Sequence, residues 1–428
     1  MPLTAAMHER IDAFIARRTP VWTRWLQQLV RIPSPFDQEQ AVVKKIEEIL
    51  HNLSAPQVCK VPHRAAQLAC LSAAQKPISR RTDRYSLVAK VPGTTSGKSL
   101  ILNAHLDTVL PGDASAWARP PFSGVIDARK KVLHGRGSMD DKAGVAIALG
   151  VLDLVVNGPL RLKGDLQLHL VLEDETTGNG SLLCLKAGHR ADAAFIIDGT
   201  RLDRAINEHA GQLQFTVTIM GAPASVCVSH LGVNAAEVLA ELALFLKDKI
   251  EALNRSRPKR WRIFPSPFQC SLQNVTSRTE TFTVPAQATG QWYVTFCPPY
   301  DLKQTTRQIE AWILNFTKMK KLSSPPVIEK SGYAVEPVTI KTRSIEALLH
   351  KHARSHGFAP IAIGPSTGTS DLRHYVSAGI PCLLYGPGRG YYPHRPDEYY
   401  HLDDLPKMVG LYASMAGDWC GLVNERKA

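Results

Sequence analysis

The sequence predicts an α/β fold in which a mixed, mostly parallel sheet has helices on both faces, with an α+β domain inserted into it. Short apolar runs typical of buried strands occupy residues 85–89, 99–103, 166–172 and 194–197. A helical pattern that begins near Asp140 and ends near Val155 lies between two of these runs. Such alternation is typical of sheets that are at least partly parallel and covered by helices.

The order of predicted elements divides the chain into three segments. Residues 1–205 contain the strands above and are expected to form the first part of a catalytic, metal-binding domain. From there the order becomes strand, helix, strands and helix, which is typical of a small α+β domain and is expected at 206–325. The Pro/Ser stretch 323–326 is expected to return the chain to the first domain, whose second segment is 326–428.

Composition excludes several classes of protein. The chain has 428 residues, 44% hydrophobic and 21% charged, which is enough apolar material for a packed interior. Neither a membrane-spanning apolar run of about 18 residues nor an apolar signal peptide is found, since residues 9–18 are rich in charge. We therefore expect a cytoplasmic protein with no membrane partner. Its 8 cysteines include no Cys-x-x-Cys pair, so a thiolate zinc site is not expected.

The formal net charge of +13 raises the question of a nucleic-acid partner. Basic residues gather with an aromatic ring at one place, 255–262, around Trp261. A solvated loop, or a patch that attracts anionic substrates, is favoured over a nucleic-acid surface because no known binding motif accompanies the cluster. The expected partner is a small-molecule substrate.

Side chains suited to metal binding follow the predicted strands. His105 and Asp107 lie on the same side of an extended chain, so His105 could bind an ion while Asp107 accepts the other imidazole N–H; a purely structural pair is the alternative. Asp140 falls at the start of the predicted helix after two glycines, where a carboxylate faces the crevice of an open α/β sheet. An ordinary helix cap by Ser138 or Asp140 is the alternative there.

Three further segments complete the candidate set. The carboxylates of 173–175 follow a strand and repel one another, so a cation is expected beside them unless the loop is simply solvated. Asp198 follows the next strand, and His394 lies in a polar segment near the C-terminus. Two imidazoles and three carboxylates form a donor set that suits two zinc ions, with one carboxylate available to bridge them.

These segments occur in an order that resembles a known family. The motifs are LILNAHLDTV, HGRGSMDDKAG, EDETTGNG, FIIDGT, HLGVNA, GTSDLRHY, GIPCLLYGPG and PHRPDEY. They resemble the zinc metallopeptidase family that includes acetylornithine deacetylase, succinyl-diaminopimelate desuccinylase, aminoacylase and carboxypeptidase G. The resemblance covers nearly the whole chain.

The resemblance implies roles for individual residues. His105 and Asp198 would bind one zinc, Glu175 and His394 the other, and Asp140 would bridge both, with cobalt as an alternative metal. Asp107 would support His105. The inserted domain would serve as a lid or dimerisation domain, which allows a homodimer through it.

Four positions depart from the pattern that the resemblance implies. Asp174 stands where the family has a glutamate as general base, and its side chain is shorter by one methylene. Ser225 replaces a histidine that stabilises the oxyanion, and His230 is an uncertain substitute. Phe282 stands for an asparagine, and Thr295 for an arginine that would bind a substrate carboxylate.

Three functions remain open on this basis. The first is a hydrolase of an amide bond in a small N-acylated amino acid, peptide or related amide. The second is a Lewis-acid enzyme of the same fold that catalyses a different, biosynthetic reaction. The third is a binding protein that metal ions stabilise without catalysis. The polar loop 367–371 could contact a substrate in any of them, although a helix N-cap is the favoured interpretation.

Overall fold

The computed structural model describes residues 5–76, 78–199, 201–340, 342–389 and 394–423. The helices are α1 (Ala5–Val30), α2 (Gln40–Asn52), α3 (Ala65–Ala69), α4 (Lys142–Val156), α5 (Asn179–Lys186), α6 (Ala235–Arg255), α7 (Leu302–Thr317), α8 (Arg343–Ser355), α9 (Leu372–Ser377) and α10 (Asp404–Cys420). The strands are β1 (Gln57–Pro62), β2 (Tyr85–Val91), β3 (Leu100–His105), β4 (Val125–Asp127), β5 (Val132–His134), β6 (Leu166–Val171), β7 (Ala193–Ile196), β8 (Arg204–His209), β9 (Gly211–Met220), β10 (Gln269–Ser277), β11 (Gln287–Phe296), β12 (Val327–Val335), β13 (Val338–Thr339), β14 (Ala362–Ser366), β15 (Cys382–Leu384) and β16 (Tyr399–His401).

The first compact unit comprises residues 1–207, 340–364 and 370–428. Its sheet follows the order β1-β2-β6-β3-β7-β15-β8, and β14 pairs with β8 as well. The four central strands β6, β3, β7 and β15 are parallel neighbours, whereas β1, β2 and β8 pair antiparallel. The mixed α/β fold is therefore confirmed, with parallel pairing confined to the centre of the sheet. Helices α4 and α5 provide the long connections that parallel neighbours require.

Helix α4 is the centre of this unit. Its sequence is rich in Ala, Val and Leu on every face, and it is buried on every side from Lys142 to Val155. It packs against β3, α1 and α10. A helix that is apolar all round belongs in the interior of a large domain. Because α4 is fixed in this way, the segment that precedes it, including Asp140, is held at the edge of the sheet.

The second compact unit comprises residues 208–339 and 365–369. Its four-stranded antiparallel sheet has the order β10-β11-β9-β12, and helices α6 and α7 pack on it. Strand β12 follows the Pro/Ser stretch 323–326 and pairs with β9. The chain therefore returns to the first unit at Ile340, later than the expected boundary after 325, because one more strand completes the inserted sheet.

The described residues include no helix that is long and apolar enough to cross a bilayer.

Candidate metal centre

The ends of three parallel strands bring the predicted ligands together. His105 is the last residue of β3, Glu175 follows β6, and Asp198 follows β7. Strands β6 and β7 both pair in parallel with β3, so their carboxyl ends meet at one edge of the sheet. Donor atoms of His105, Asp140 and Glu175 lie within 4.8 Å of one another, and so do those of His105, Asp174 and Asp198.

His394 joins the same cluster from the C-terminal part of the chain. Its Nε2 lies 2.9 Å from Glu175 Oε2 and 3.6 Å from Asp140 Oδ2. Its side chain is 52% exposed, whereas His105 is buried. The structure therefore places all five predicted ligands around one centre. Pro393 and Thr200, which belong to two of the motifs, lie outside the described residues.

Asp140 projects from a tight turn between β5 and α4. Gly137 has a φ of 78°, and a Cβ there would lie 2.6 Å from Thr108 Cγ2, so the turn needs glycine for both conformation and space. Asp140 Oδ1 lies 3.0 Å from His105 Nε2. The N-cap position of α4 belongs to Asp141, whose carboxylate accepts a hydrogen bond from the backbone N–H of His105 at 3.1 Å. The alternative of Asp140 or Ser138 as the helix cap is therefore wrong.

Asp107 supports the cluster in a different way from the one predicted. His105 Nδ1 donates to the backbone oxygen of Asp107 at 3.0 Å, and the Asp107 carboxylate is 3.6 Å away. That carboxylate accepts hydrogen bonds from the backbone N–H groups of Asp174, at 3.3 Å, and Glu175, at 3.1 Å. The backbone of Asp107 thus sets the His105 tautomer that leaves Nε2 free to bind an ion, and its side chain holds the turn beside it.

Glu173 lies outside the cluster, contrary to the expectation that three adjacent carboxylates share one cation. It is buried, and its Oε1 accepts hydrogen bonds from Arg84 Nη1 at 2.5 Å and His63 Nδ1 at 3.1 Å. Burial by itself raises the pKa of Glu173, but His63 and Arg84 outweigh that effect and lower it below its usual value. Side chains of the protein therefore compensate this carboxylate, and its two neighbours in the sequence belong to the candidate metal cluster.

Arg84 is expected to be essential for the stability of the first unit. Its guanidinium also binds Glu39, with Nη2 2.5 Å from Oε1, and all three side chains are about 1% exposed. Arg84→Met removes the guanidinium from two buried carboxylates, while His63 and the Thr177 hydroxyl still donate to Glu173, so we expect the free energy of unfolding in urea to fall by about 3–5 kcal/mol. Arg81→Met removes an ion pair between side chains that are 45% and 54% exposed, Arg81 and Asp83, and is expected to leave the free energy of unfolding nearly unchanged. Equal losses in the two variants would contradict this role.

The electrostatics of the centre favour a bound cation. Burial and the neighbouring carboxylates raise the pKa of Asp174 to about 7, that of Asp198 to about 7, and that of Glu175 to about 6. Removing carboxylates from water and crowding them disfavours their charged forms. Nitrogen and oxygen donors at such short separations are the set that binds zinc and related divalent ions. The residues present therefore fit a pair of divalent metal ions.

Comparison with known proteins agrees with this geometry. The model of peptidase family M20/M25/M40 matches residues 101–418. The chain belongs to that family. It is 25% identical over 370 residues to the N-formyl-4-amino-5-aminomethyl-2-methylpyrimidine deformylase of Bacillus subtilis, covering 80% of this chain and 84% of the relative. It is 27% identical over 411 residues to the succinyl-diaminopimelate desuccinylase of Rhodospirillum centenum, covering 92% and 96%.

Solved structures of the M20 family show the same fold. A tripeptidase from Staphylococcus aureus superposes with a TM-score of 0.74 at 18% identity, covering 94% of this chain and 98% of that one. A dinuclear metal-binding M20 peptidase from Bacillus subtilis superposes with a TM-score of 0.65 at 16% identity, covering 96% and 99%. The resemblance to an amide-hydrolysing metallopeptidase family is therefore confirmed.

The three departures from the M20 pattern in the second unit occupy different environments. Ser225 accepts a hydrogen bond from the backbone N–H of Cys227 at 3.4 Å and caps a short 3-10 helix on which His230 is exposed. Phe282 is 76% exposed. Thr295 is buried within β11. Ser225 therefore has a small hydroxyl group where the resemblance implies an imidazole, and Thr295 has one where it implies a guanidinium.

Sequence reasoning missed two buried carboxylates near the predicted ligands, Asp141 and Glu398, and considered a third, Asp371, only as part of the polar loop 367–371. Asp371 directly precedes α9, but its side chain makes no capping hydrogen bond to that helix and instead accepts one from Ser181, which is 190 positions away. The donors to Glu398 lie about 260 positions away along the chain. Contacts between such distant segments have no local sequence signal that could have revealed them.

Proposed function

We propose that the chain is a hydrolase that uses two divalent metal ions to cleave the amide bond of a small N-acylated compound. The observation that carries the proposal is the convergence of two imidazoles and three carboxylates at the ends of parallel strands. In this proposal His105 and Asp198 hold one ion, Glu175 and His394 hold the other, and Asp140 bridges both. The two oxygens of Asp140 support the bridge, since Oδ1 faces His105 and Oδ2 faces His394.

When bound, the two ions would supply Lewis-acid activation of the amide carbonyl and of a water molecule. We assign the proton transfers to Asp174. Its carboxylate would accept a proton from the attacking water and deliver it to the departing amine nitrogen, so that the acyl carbon gains a hydroxyl group as the C–N bond breaks. The position of Asp174 supports this role, because its carboxylate lies within 4.8 Å of the donor atoms of His105 and Asp198. Asp107 would keep Asp174 in place by accepting its backbone N–H.

The proposed substrate is a formyl or short acyl amide of a polar amine that lacks a free carboxylate. The names of two relatives, a deformylase of an aminomethylpyrimidine and a desuccinylase of a diamino acid, support a small N-acyl amine. Thr295 favours a substrate without a free carboxylate, because a threonine cannot form the bidentate ion pair by which arginine binds a carboxylate. We further propose zinc or cobalt as the native metal, a homodimer formed through the unit at 208–339, and a cytoplasmic location.

A metal-reconstitution assay tests the proposed function. The protein is stripped with a chelator, loaded with zinc, cobalt or magnesium, and assayed for amine release from N-formyl, N-succinyl and dipeptide substrates. We expect about two zinc or cobalt ions per chain by mass spectrometry, amine release only from the loaded protein, and a higher kcat/KM for substrates without a carboxylate. Two bound ions without amine release from any amide would favour the biosynthetic Lewis-acid alternative. Fewer than two ions would contradict the assignment of ligands.

A further inference from the structure

Glu398 is a buried carboxylate with four hydrogen-bond donors. Its side chain is about 1% exposed. Oε2 accepts from Arg136 Nη1 at 2.7 Å and from the backbone N–H of Gly137 at 3.1 Å. Oε1 accepts from the backbone N–H groups of Met139, at 2.9 Å, and Asp140, at 3.2 Å. One carboxylate therefore binds the whole turn that carries Asp140.

We propose that Glu398 is a positioning residue that sets the affinity of the centre for its metal ions by holding Asp140 and His394 in register. This inference rests on the proposed function, because it takes both residues to be metal ligands. Glu398 does not itself face the ions. It acts through the backbone of the turn, and its own segment begins four positions earlier at His394.

The path of the chain explains why Glu398 reaches this turn. Strands β5 and β16 pair antiparallel, with Tyr399 opposite His134. The backbone N–H of Gly135 donates to the Glu398 carbonyl at 2.9 Å, which continues the pairing by one residue. Glu398 is thereby placed beside the start of the turn, with its carboxylate directed into it. The segment with His394 and the turn with Asp140 are joined by backbone and side-chain bonds at the same point.

A carboxylate is the side chain that these donors require. Four N–H donors point at two oxygens, and both oxygens must accept. A glutamine of the same shape would direct its NH₂ group at one pair of donors. Arg136 would also lose its charged partner, although its side chain is only about 2% exposed to water. The guanidinium of Arg136 lies 5.1 Å from the centre of the Trp117 ring, which holds it beside Glu398. Substitution of Glu398 should therefore disturb the turn directly.

The test compares Glu398→Gln with a matched control, Asp153→Asn. Asp153 is also fully buried and accepts from Arg18 Nε at 2.7 Å and Trp22 Nε1 at 2.9 Å, but it lies on α4 about 17 Å from the start of that helix. Zinc affinity of the folded proteins is measured by competition with a chromophoric chelator, and folding by circular dichroism and thermal denaturation of the metal-free proteins. We expect Glu398→Gln to weaken zinc binding about 10- to 100-fold, the usual effect of losing an outer partner of a metal site. Asp153→Asn should lower the melting temperature while zinc affinity stays within about threefold of wild type.

Each outcome decides the inference. Wild-type zinc affinity in folded Glu398→Gln, or an equal loss in Asp153→Asn, would overturn it and leave the proposed function intact. If the wild-type protein itself bound fewer than two zinc ions, both proposals would fail together. Should Glu398→Gln not fold, Glu398→Asp keeps the charge opposite Arg136 but is one methylene too short to reach all four donors. The same loss of zinc affinity is expected for it, and unchanged affinity would overturn the inference.

Discussion

Replacing Asp174 with asparagine is expected to lower kcat for the best amide substrate by about 100- to 10,000-fold while both metal ions stay bound. The reason is that an amide of nearly the same shape cannot accept the proton of the attacking water, and positioned general acid–base groups contribute effects of that size. The backbone N–H of residue 174 would still bind Asp107, so the turn should keep its conformation. Steady-state kinetics at saturating substrate, with metal content measured on the same sample, check both parts of the expectation.

Asp174→Glu is the matched control. It keeps the carboxylate and adds one methylene, which gives the glutamate that the family resemblance implies at this position. We expect it to lose less kcat than Asp174→Asn, and at most about 100-fold, because the acid–base group survives with a displacement of about an ångström. Unchanged kcat in Asp174→Asn would show that another group carries the proton. Loss of one metal ion from Asp174→Asn would instead identify Asp174 as a ligand, an arrangement compatible with its short separation from His105 and Asp198.

The convergence of the candidate ligands could be predicted because three of the predicted strands each lead into one of them. His105 closes β3, and Asp198 follows β7, so a correct strand assignment also places the ligand at the edge of the sheet. Parallel pairing then brings the ends together without any further information. His394 was found by its motif, since the strands nearest to it are short and give little periodic signal.

The supporting contacts could not be predicted, because they depend on which distant segments pack together. Asp107 was expected to accept the His105 imidazole N–H with its carboxylate. It accepts that N–H with its backbone oxygen, and its carboxylate accepts from backbone N–H groups 67 and 68 positions away. Glu173 looks like its two neighbours in the sequence, and only the approach of Arg84 shows that it belongs to a separate buried network. Backbone donors are present at every residue other than proline, so no residue pattern marks the ones that a side chain will find.

The extra strand of the inserted unit was missed for a related reason. Two prolines at 325 and 326 favour an interruption of regular structure and therefore predict a linker between domains there. In the structure the prolines precede β12, which pairs with β9 at the edge of the sheet. Proline is tolerated next to an edge strand because the ladder loses no hydrogen bond there. A proline pair therefore marks the start of a strand as readily as the end of a domain.

Replacing Asp140 with alanine is expected to release both metal ions, whereas His394→Ala should release only one. In the proposed arrangement Asp140 would hold both ions, since its two oxygens face different histidines, with Oδ1 3.0 Å from His105 Nε2 and Oδ2 3.6 Å from His394 Nε2. Its loss removes a ligand from both ions and also the negative charge between them. We expect zinc affinity to fall by more than the roughly 100-fold that an outer partner contributes, with no measurable amide hydrolysis.

Metal stoichiometry separates the bridging role of Asp140 from that of an ordinary ligand. After dialysis against a weak chelator, native mass spectrometry should find two zinc ions on the wild-type chain, about one on His394→Ala and none on Asp140→Ala. One ion retained by Asp140→Ala would show that this carboxylate serves a single ion, and the bridge would then have to be sought at Glu175, which lies 2.9 Å from His394, or at Asp174. Because His394 is half exposed and Asp140 is nearly buried, the ion lost from His394→Ala should be the one nearer to solvent.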